Sequence, residues 1–355
     1  MPRECGRLRA MRSLLVLACV LAGSGCFKTG YVLQAAAGQY ELLHVARPLK
    51  TVRDDPQVPE RVRALLAKVP AIKRYGELNG LTPTGNYERY ADLKRPAAVW
   101  VVQACAPLSF TPKRWSFPIV GTVPYLGYFD VKPARAYAAQ LAKEEPLDVT
   151  VRTASAYSTL GWFKDPVLST MIPEGPDAFG SLANVILHES VHATVYVPSQ
   201  SAFNESLASF IADELTWRLV VGRGGLQSDE AKAYLEGEAR GERFVKEFHA
   251  AYEDLDALYK SERSEEEKRT MKAARLEALS RALGTKRQFN NADLVGFRTY
   301  DTGRPAFERL MRACGGLPKL LAAVKTLKES DFTERQQGEF GAVVDALARR
   351  ACASP

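Results

Sequence analysis

Val185-Ile186-Leu187-His188-Glu189-Ser190-Val191-His192, followed past Pro198 by Phe203-Asn204-Glu205-Ser206-Leu207-Ala208-Ser209-Phe210, is the stretch whose reading decides the fold. Apolar residues recur at helical spacing on both sides of the turn. The pattern predicts one helix over about 178–196 and a second over about 204–221, folded back on the first. Pro198 stops the first, and Gly222-Arg223-Gly224-Gly225 stops the second. On the first helix, His188 and His192 are four positions apart and share one face. Two imidazoles at that spacing can grip one metal ion. Glu189 is offset from His188 by about 100° around the helix, so it can stand beside an activated water without being a ligand. This is the arrangement of zinc hydrolases. There the ion lowers the pKa of water to about 7 and the glutamate takes the proton. The chain has only four histidines, and composition alone makes a chance HExxH a matter of about 1% or less. The flanks are apolar, and burying two histidines and a glutamate is costly unless they are paired or hold a metal.

A catalytic zinc takes three protein ligands and leaves a fourth position open. Glu205 opens the second helix, and the turn before it can carry it back to the ion. Asn204 reads as the N-cap of that helix. Asp213 and Glu214 lie further along it. Asp213 sits about 12 Å beyond Glu205 at 1.5 Å per residue, too far for both to reach one ion. Asp213 or Glu214 is read as the residue that orients a ligand imidazole from behind. A hydrogen-bond donor for the developing oxyanion is also expected, with Tyr157 and Tyr300 as candidates.

Working outward, 31–45 and 59–78 have helical spacing, and 97–104 is a β-branched apolar run that reads as a buried strand. Residues 117–129 are extended pieces joined by Pro and Gly turns. A short helix over 132–143 and an alternating strand over 148–158 follow, the latter a possible edge for strand addition by a peptide. The loop 159–176, with Trp162 and Phe163, comes next. Residues 228–284 are charged and heptad-like with a polar break at 261–264, which predicts a helical hairpin with a wet outer face. Amphipathic helices fill 304–352. The fold class is α+β. A leader over 1–25 precedes a mixed part over 26–176 and a helical part over 177–355. The helical part divides into metal-binding helices (177–222), the charged hairpin (226–285) and C-terminal helices.

The first 25 residues read as an address. Residues 1–12 are basic, Leu14–Leu21 is a short apolar block, and Ala22-Gly23-Ser24-Gly25 precedes Cys26. That is a signal peptide, too short to span a bilayer stably. Small residues before a cysteine resemble a bacterial lipobox, which makes Cys26 the expected lipidation site. The net charge of +7 includes three charges from this leader, so the remainder has no nucleic-acid signature. Export permits disulfides. Cys314 and Cys352 are one candidate pair, with Cys105 left over, and spacing alone does not decide it.

HExxH followed by N-E-x-x-A-S-F resembles the gluzincin metallopeptidases. More closely, the chain resembles a bacterial family of zinc aminopeptidases that are exported lipoproteins. The supporting segments are Tyr31-Val32-Leu33-Gln34-Ala35-Ala36, Phe117-Pro118-Ile119-Val120-Gly121, Gly127-Tyr128-Phe129-Asp130, Ala156–Phe163, Asn290-Asn291-Ala292 and Cys314-Gly315-Gly316. The resemblance implies a Zn2+ cofactor held by His188, His192 and Glu205, Glu189 as general base, and a peptide substrate. It also implies a lipid anchor in a bacterial membrane, outside the cytoplasm, at the periplasmic face of the outer membrane. Two departures stand out. Ser116 and Thr122 replace cysteines that flank this segment in relatives. The strand before the zinc helix lacks the glutamate with which alanyl-type enzymes hold a substrate amine.

The rival reading is a non-catalytic envelope lipoprotein with a structural metal and a partner-binding hairpin. Amide hydrolysis in peptidoglycan uses similar zinc chemistry. Glu189 separates catalytic from structural sites, because a structural site has no use for it.

Overall fold

The computed structural model describes residues 26–117, 121–157, 163–301 and 303–352, with backbone only for Cys26 and for 297–301. Its elements are mixed. Helix α1 (Cys26–Val45) leads through β1 (Arg47–Pro48) and the short α2 (Leu49–Arg53) to α3 (Glu60–Leu78). Strands β2 (Arg89–Ala91), β3 (Val99–Cys105), β4 (Trp115–Phe117), β5 (Gly121–Val123) and β6 (Leu126–Tyr128) follow. Then come α4 (Val131–Glu144), β7 (Asp148–Ala154) and β8 (Val167–Leu168). The remainder is helical: α5 (Ala178–His192), α6 (Ser201–Gly224), α7 (Asp229–Lys260), α8 (Glu265–Ala282), α9 (Asn291–Asp301), α10 (Arg304–Cys314), α11 (Leu317–Val324) and α12 (Gly341–Ala351). This is an α+β protein.

The β-branched run around residue 100 forms the centre of an antiparallel sheet, ordered β6-β3-β7. All seven residues of β3 are buried, and the two-residue period of a strand sorts them between two cores. Val99 and Val101 face the main core, whereas Trp100, Val102 and Ala104 face a smaller one closed by Leu126, Ala134 and Leu141. Strand β7 is an edge strand, as strand addition requires, but its free side is partly taken. Val149 O accepts from Asn290, and Ser155 O from the Thr170 hydroxyl. A second small sheet, β1-β2-β8, joins segments that are far apart in sequence. Its strands of two and three residues are too short for alternation to show, and β8 falls inside the segment read as loop.

The main core is built on α5 and α6, which pack antiparallel along their length, with α3 across α5. Helix α5 ends at His192, short of the predicted Tyr196, and α6 begins at Ser201, before Asn204. Behind α6 the buried rings of Phe203, Phe307 and Phe340 lie 5.5–5.9 Å apart, centre to centre. They fix α10 and α12 to the first turn of α6. Cys314 and Cys352 form a disulfide with their Cα atoms 4.6 Å apart, while Cys105 is buried and free. Ser116 and Thr122 face each other across the β4–β5 pair, and their hydroxyls hydrogen-bond at 3.0 Å. A polar cross-strand pair thus stands where relatives were pictured with cysteines.

The charged hairpin forms as α7 and α8. Ser264 caps α8 by accepting from Glu267 N, and the Glu267 carboxylate bonds back to Ser264 N, a capping box. Inside, Phe248, Leu255, Leu276 and Leu279 form a third core of their own. The hairpin is tied to the sheet through fully buried Asn291: its Oδ1 accepts from the Tyr259 hydroxyl of α7 at 2.8 Å, its amide donates to Ala106 O, and its backbone N–H donates to Asp148.

Candidate metal centre

The α5–α6 hairpin brings His188, His192 and Glu205 together. His188 Nε2 lies 3.2 Å from His192 Nε2 and 3.3 Å from Glu205 Oε2, and His192 Nε2 lies 3.6 Å from the same oxygen. These are the residues with metal-ligand geometry among those described. The separations can be tested against a specific ion. Zinc bonds to N and O of ~2.0–2.2 Å give a tetrahedron with edges of ~3.3–3.6 Å. Two of the observed edges, 3.3 and 3.6 Å, fall on that range and the third, 3.2 Å, lies just below it, so the donor set is compatible with zinc.

Burial sharpens the chemistry. The side chains of His188, His192 and Glu205 are 16%, 6% and 15% exposed. Burial works against the charged form of Glu205, but hydrogen bonds from both imidazoles and their charge outweigh it and hold its carboxyl far below the ordinary range. Burial likewise opposes a charged His192. The Glu205 hydrogen bond and charge, then the Glu189 charge, overcome it and raise that pKa. The site therefore concentrates negative charge around nitrogen donors, which is what a cation needs.

Glu189 is not part of this triangle. Its Oε2 is buried and has no hydrogen-bond partner. An uncompensated buried carboxylate oxygen is costly, and here it belongs to the one residue expected to take a proton. His192 Nδ1 is also buried without a partner, so no side chain orients that ring from behind.

Asp213 does not take the orienting role expected of it. Its carboxylate accepts from Asn184 Nδ2 at 2.9 Å and pairs with Arg304, and no hydrogen bond joins it to an imidazole. Glu214 turns outward to Arg218. Asn184 lies one turn before His188 on α5, so the Asn184–Asp213–Arg304 chain locks α5, α6 and α10 together beside the metal triangle.

Asn204 is not a cap either. It lies inside α6, buried, and clasps the turn: its Oδ1 accepts from Val197 N at 2.9 Å and its Nδ2 donates to Val197 O at 2.8 Å. The turn is held from the other side by residues that sequence reading missed. Gln336 N donates to Ser199 O at 2.7 Å, its Oε1 accepts from Ser201 N, and its Nε2 donates to Thr122 O. Gln200 donates to Glu334 O and accepts from Gln337 N. Ser199 and Gln336 both have positive φ, 58° and 55°. Such backbone persists only where surroundings over-determine it. The turn that sets the distance from HExxH to Glu205 is thus pinned by a C-terminal segment more than 130 residues away. A glutamine pair in a polar stretch carries no local signal of this.

The tyrosine candidates fare differently. Tyr157 packs edge-on against Phe129, 5.0 Å between ring centres, and no hydrogen bond links it to the metal triangle. Tyr300 is on α9, which packs along α6, and its side chain lies outside the described residues, as do residues 158–162 with Trp162. Phe163 is exposed.

The paired core helices of this α+β protein bring together a His-His-Glu group that could hold a metal ion, with the orphan Glu189 oxygen on the same helix. Residues 30–338 match the family described as "Putative aminopeptidase", and the chain belongs to that family. No curated protein and no solved structure matches it.

Proposed function

We propose that the chain is a zinc-dependent peptidase of gluzincin type, with aminopeptidase action on peptide substrates outside the cytoplasm. The observation that carries this is the pairing of three donors at separations compatible with zinc with a buried, partnerless Glu189 oxygen on the same helix as the two histidines. His188, His192 and Glu205 would hold the ion. Bound there, zinc would lower the pKa of a water to about 7 and polarise a carbonyl. Glu189 takes the proton as the water attacks the scissile carbonyl carbon and returns it to the departing amine. Glu205, kept ionised by both imidazoles, balances the charge. A structural metal is the weaker reading, because it leaves the buried Glu189 Oε2 without purpose. The leader over 1–25 and Cys26 support attachment to a membrane by lipid, periplasm-facing at the outer membrane.

The test uses the purified full chain. Metal analysis should return one zinc per chain, and peptide hydrolysis should vanish with chelator and return with zinc. Glu189→Gln should keep zinc while losing about 10²–10⁴-fold in rate, the range for a general base. Unchanged turnover in that variant would sink the mechanism.

A further inference from the structure

Helix α1 is uncharged on both sides from Thr29 to Tyr40. Its inner side is occupied. The Tyr31 hydroxyl accepts from Gly127 N at 3.1 Å, Gln34 donates to Gly127 O and accepts from Phe129 N, and Gly38 lies against the Phe129 ring, where a Cβ would come within 2.0 Å. The outer side is bare. Val32, Leu33 and Tyr40 are 51%, 63% and 68% exposed, and Ala36 and Ala37 between them are exposed too. Positions 32, 33, 36, 37 and 40 fall on one helical face. No charged residue occurs between Lys28 and Glu41. An exposed contiguous apolar stripe marks a binding surface.

What covers it follows from where the chain comes from. The first residue of α1 is Cys26, and the residues just before it carry the apolar block Leu14–Leu21. Whether that block is kept or is replaced by an acyl group on Cys26, an apolar anchor enters at the first turn of this helix. An anchor at that turn brings the bare face of α1 to the membrane surface. We propose that the outer face of α1, centred on Leu33 and Tyr40, lies in the interface of a lipid bilayer and adds a contact to the anchor. This rests on the membrane-anchored reading above but not on the peptidase chemistry. The inner face is clamped to β6, so the helix cannot swing free, and the bilayer would hold the whole domain in one orientation.

The experiment uses the full chain bound through its own N-terminus to phosphatidylcholine vesicles, carrying Tyr40→Trp. A second chain carries Leu226→Trp, an exposed position on the turn before the charged hairpin. Brominated acyl chains should quench and blue-shift the emission added at position 40 and leave that at 226 unaffected. Adding Leu33→Glu to the Tyr40→Trp chain should return its emission to the solvent-exposed value. Emission at position 40 that stays unquenched on vesicle-bound chain overturns the proposal, as does failure of the chain to bind vesicles. A blue shift without lipid, together with a dimer in sedimentation, overturns it too, because a second copy would then cover the face. Zinc content and peptide hydrolysis are measured on the same samples. If both are absent while quenching persists, the peptidase reading fails and the membrane face stands.

Discussion

Two helical hairpins lie side by side in this chain, α5–α6 and α7–α8, and they use polar residues in opposite ways. In α7–α8 the charges are on the outside and pair mostly along each helix, Arg281 with Glu277, Arg269 with Glu265, Lys260 with Asp256, with Arg275 reaching across to Asp254. In α5–α6 the polar groups point inward and pair across helices, His188 and His192 with Glu205, Asn184 with Asp213, Asn204 with the turn. The first pattern is legible in sequence and worth little energy, since exposed pairs are screened by water. The second is legible in sequence only at HExxH and Glu205, and its remaining partners are set by packing, since each buried group needs a partner or an ion.

The sharpest way to break this comparison is at the ligands. Glu205→Ala should abolish zinc retention after dialysis against a weak chelator. Asp213→Ala should weaken affinity by no more than the ~10–100-fold of a supporting residue. The opposite outcome would mean the ligand set is misassigned. Next comes the turn. Asn204→Ala leaves the Val197 N–H and C=O buried and unpaired, at a cost of about 1–3 kcal/mol per unsatisfied group. Urea unfolding of the metal-free chain should show it, and an unchanged midpoint would argue against the clasp.

Where the two hairpins meet, Glu238 of α7 faces the Asp213 carboxylate of α6. Burial, and then the Asp213 charge, push its pKa from 4.5 up to about 7, with Arg304 opposing. Between those values the folded chain keeps a proton that the unfolded chain releases. Stability therefore falls as pH rises through the window, and the loss is complete above it. Glu238→Gln should make the chain more stable than the parent above pH 7, by about 1 kcal/mol once solvent screening is allowed for, and leave it unchanged near pH 4. Thermal melts at pH 4 and pH 8 would show this, and equal gains at both would point to packing, not charge. The smallest effect belongs to the outer face. Arg281→Ala should change stability by less than about 0.5 kcal/mol, and a larger loss would blur the distinction between the hairpins.

Much of the site was readable because HExxH is a local object. Four residues of helix place His188 and His192 together whatever surrounds them. Glu205 was reachable because only a short turn separates it from that helix. Asn204 was misread for a physical reason. The residue type that caps a helix is also the type that can clasp a turn, and only the start of α6 at Ser201 tells the two apart. Asp213 failed as an orienting residue because Arg304, on a helix that packs in from 91 residues away, takes its carboxylate. The charged hairpin and the buried strand β3 were readable from periodicity, whereas the strands at 47–48, 89–91 and 167–168 were too short to show one.

By itself the sequence determined the spacing of His188 and His192, the helical hairpins and the α+β class, because these depend on periods of two and 3.6 residues written along the chain. The tertiary structure decided the rest. It paired Cys314 with Cys352, set Gln336 against the Ser199 turn, diverted Asp213 to Arg304 and left Glu189 without a partner. Each of these joins residues distant in sequence or leaves one buried. Partnership and burial are properties of packing, and no local pattern encodes which distant segment will pack there.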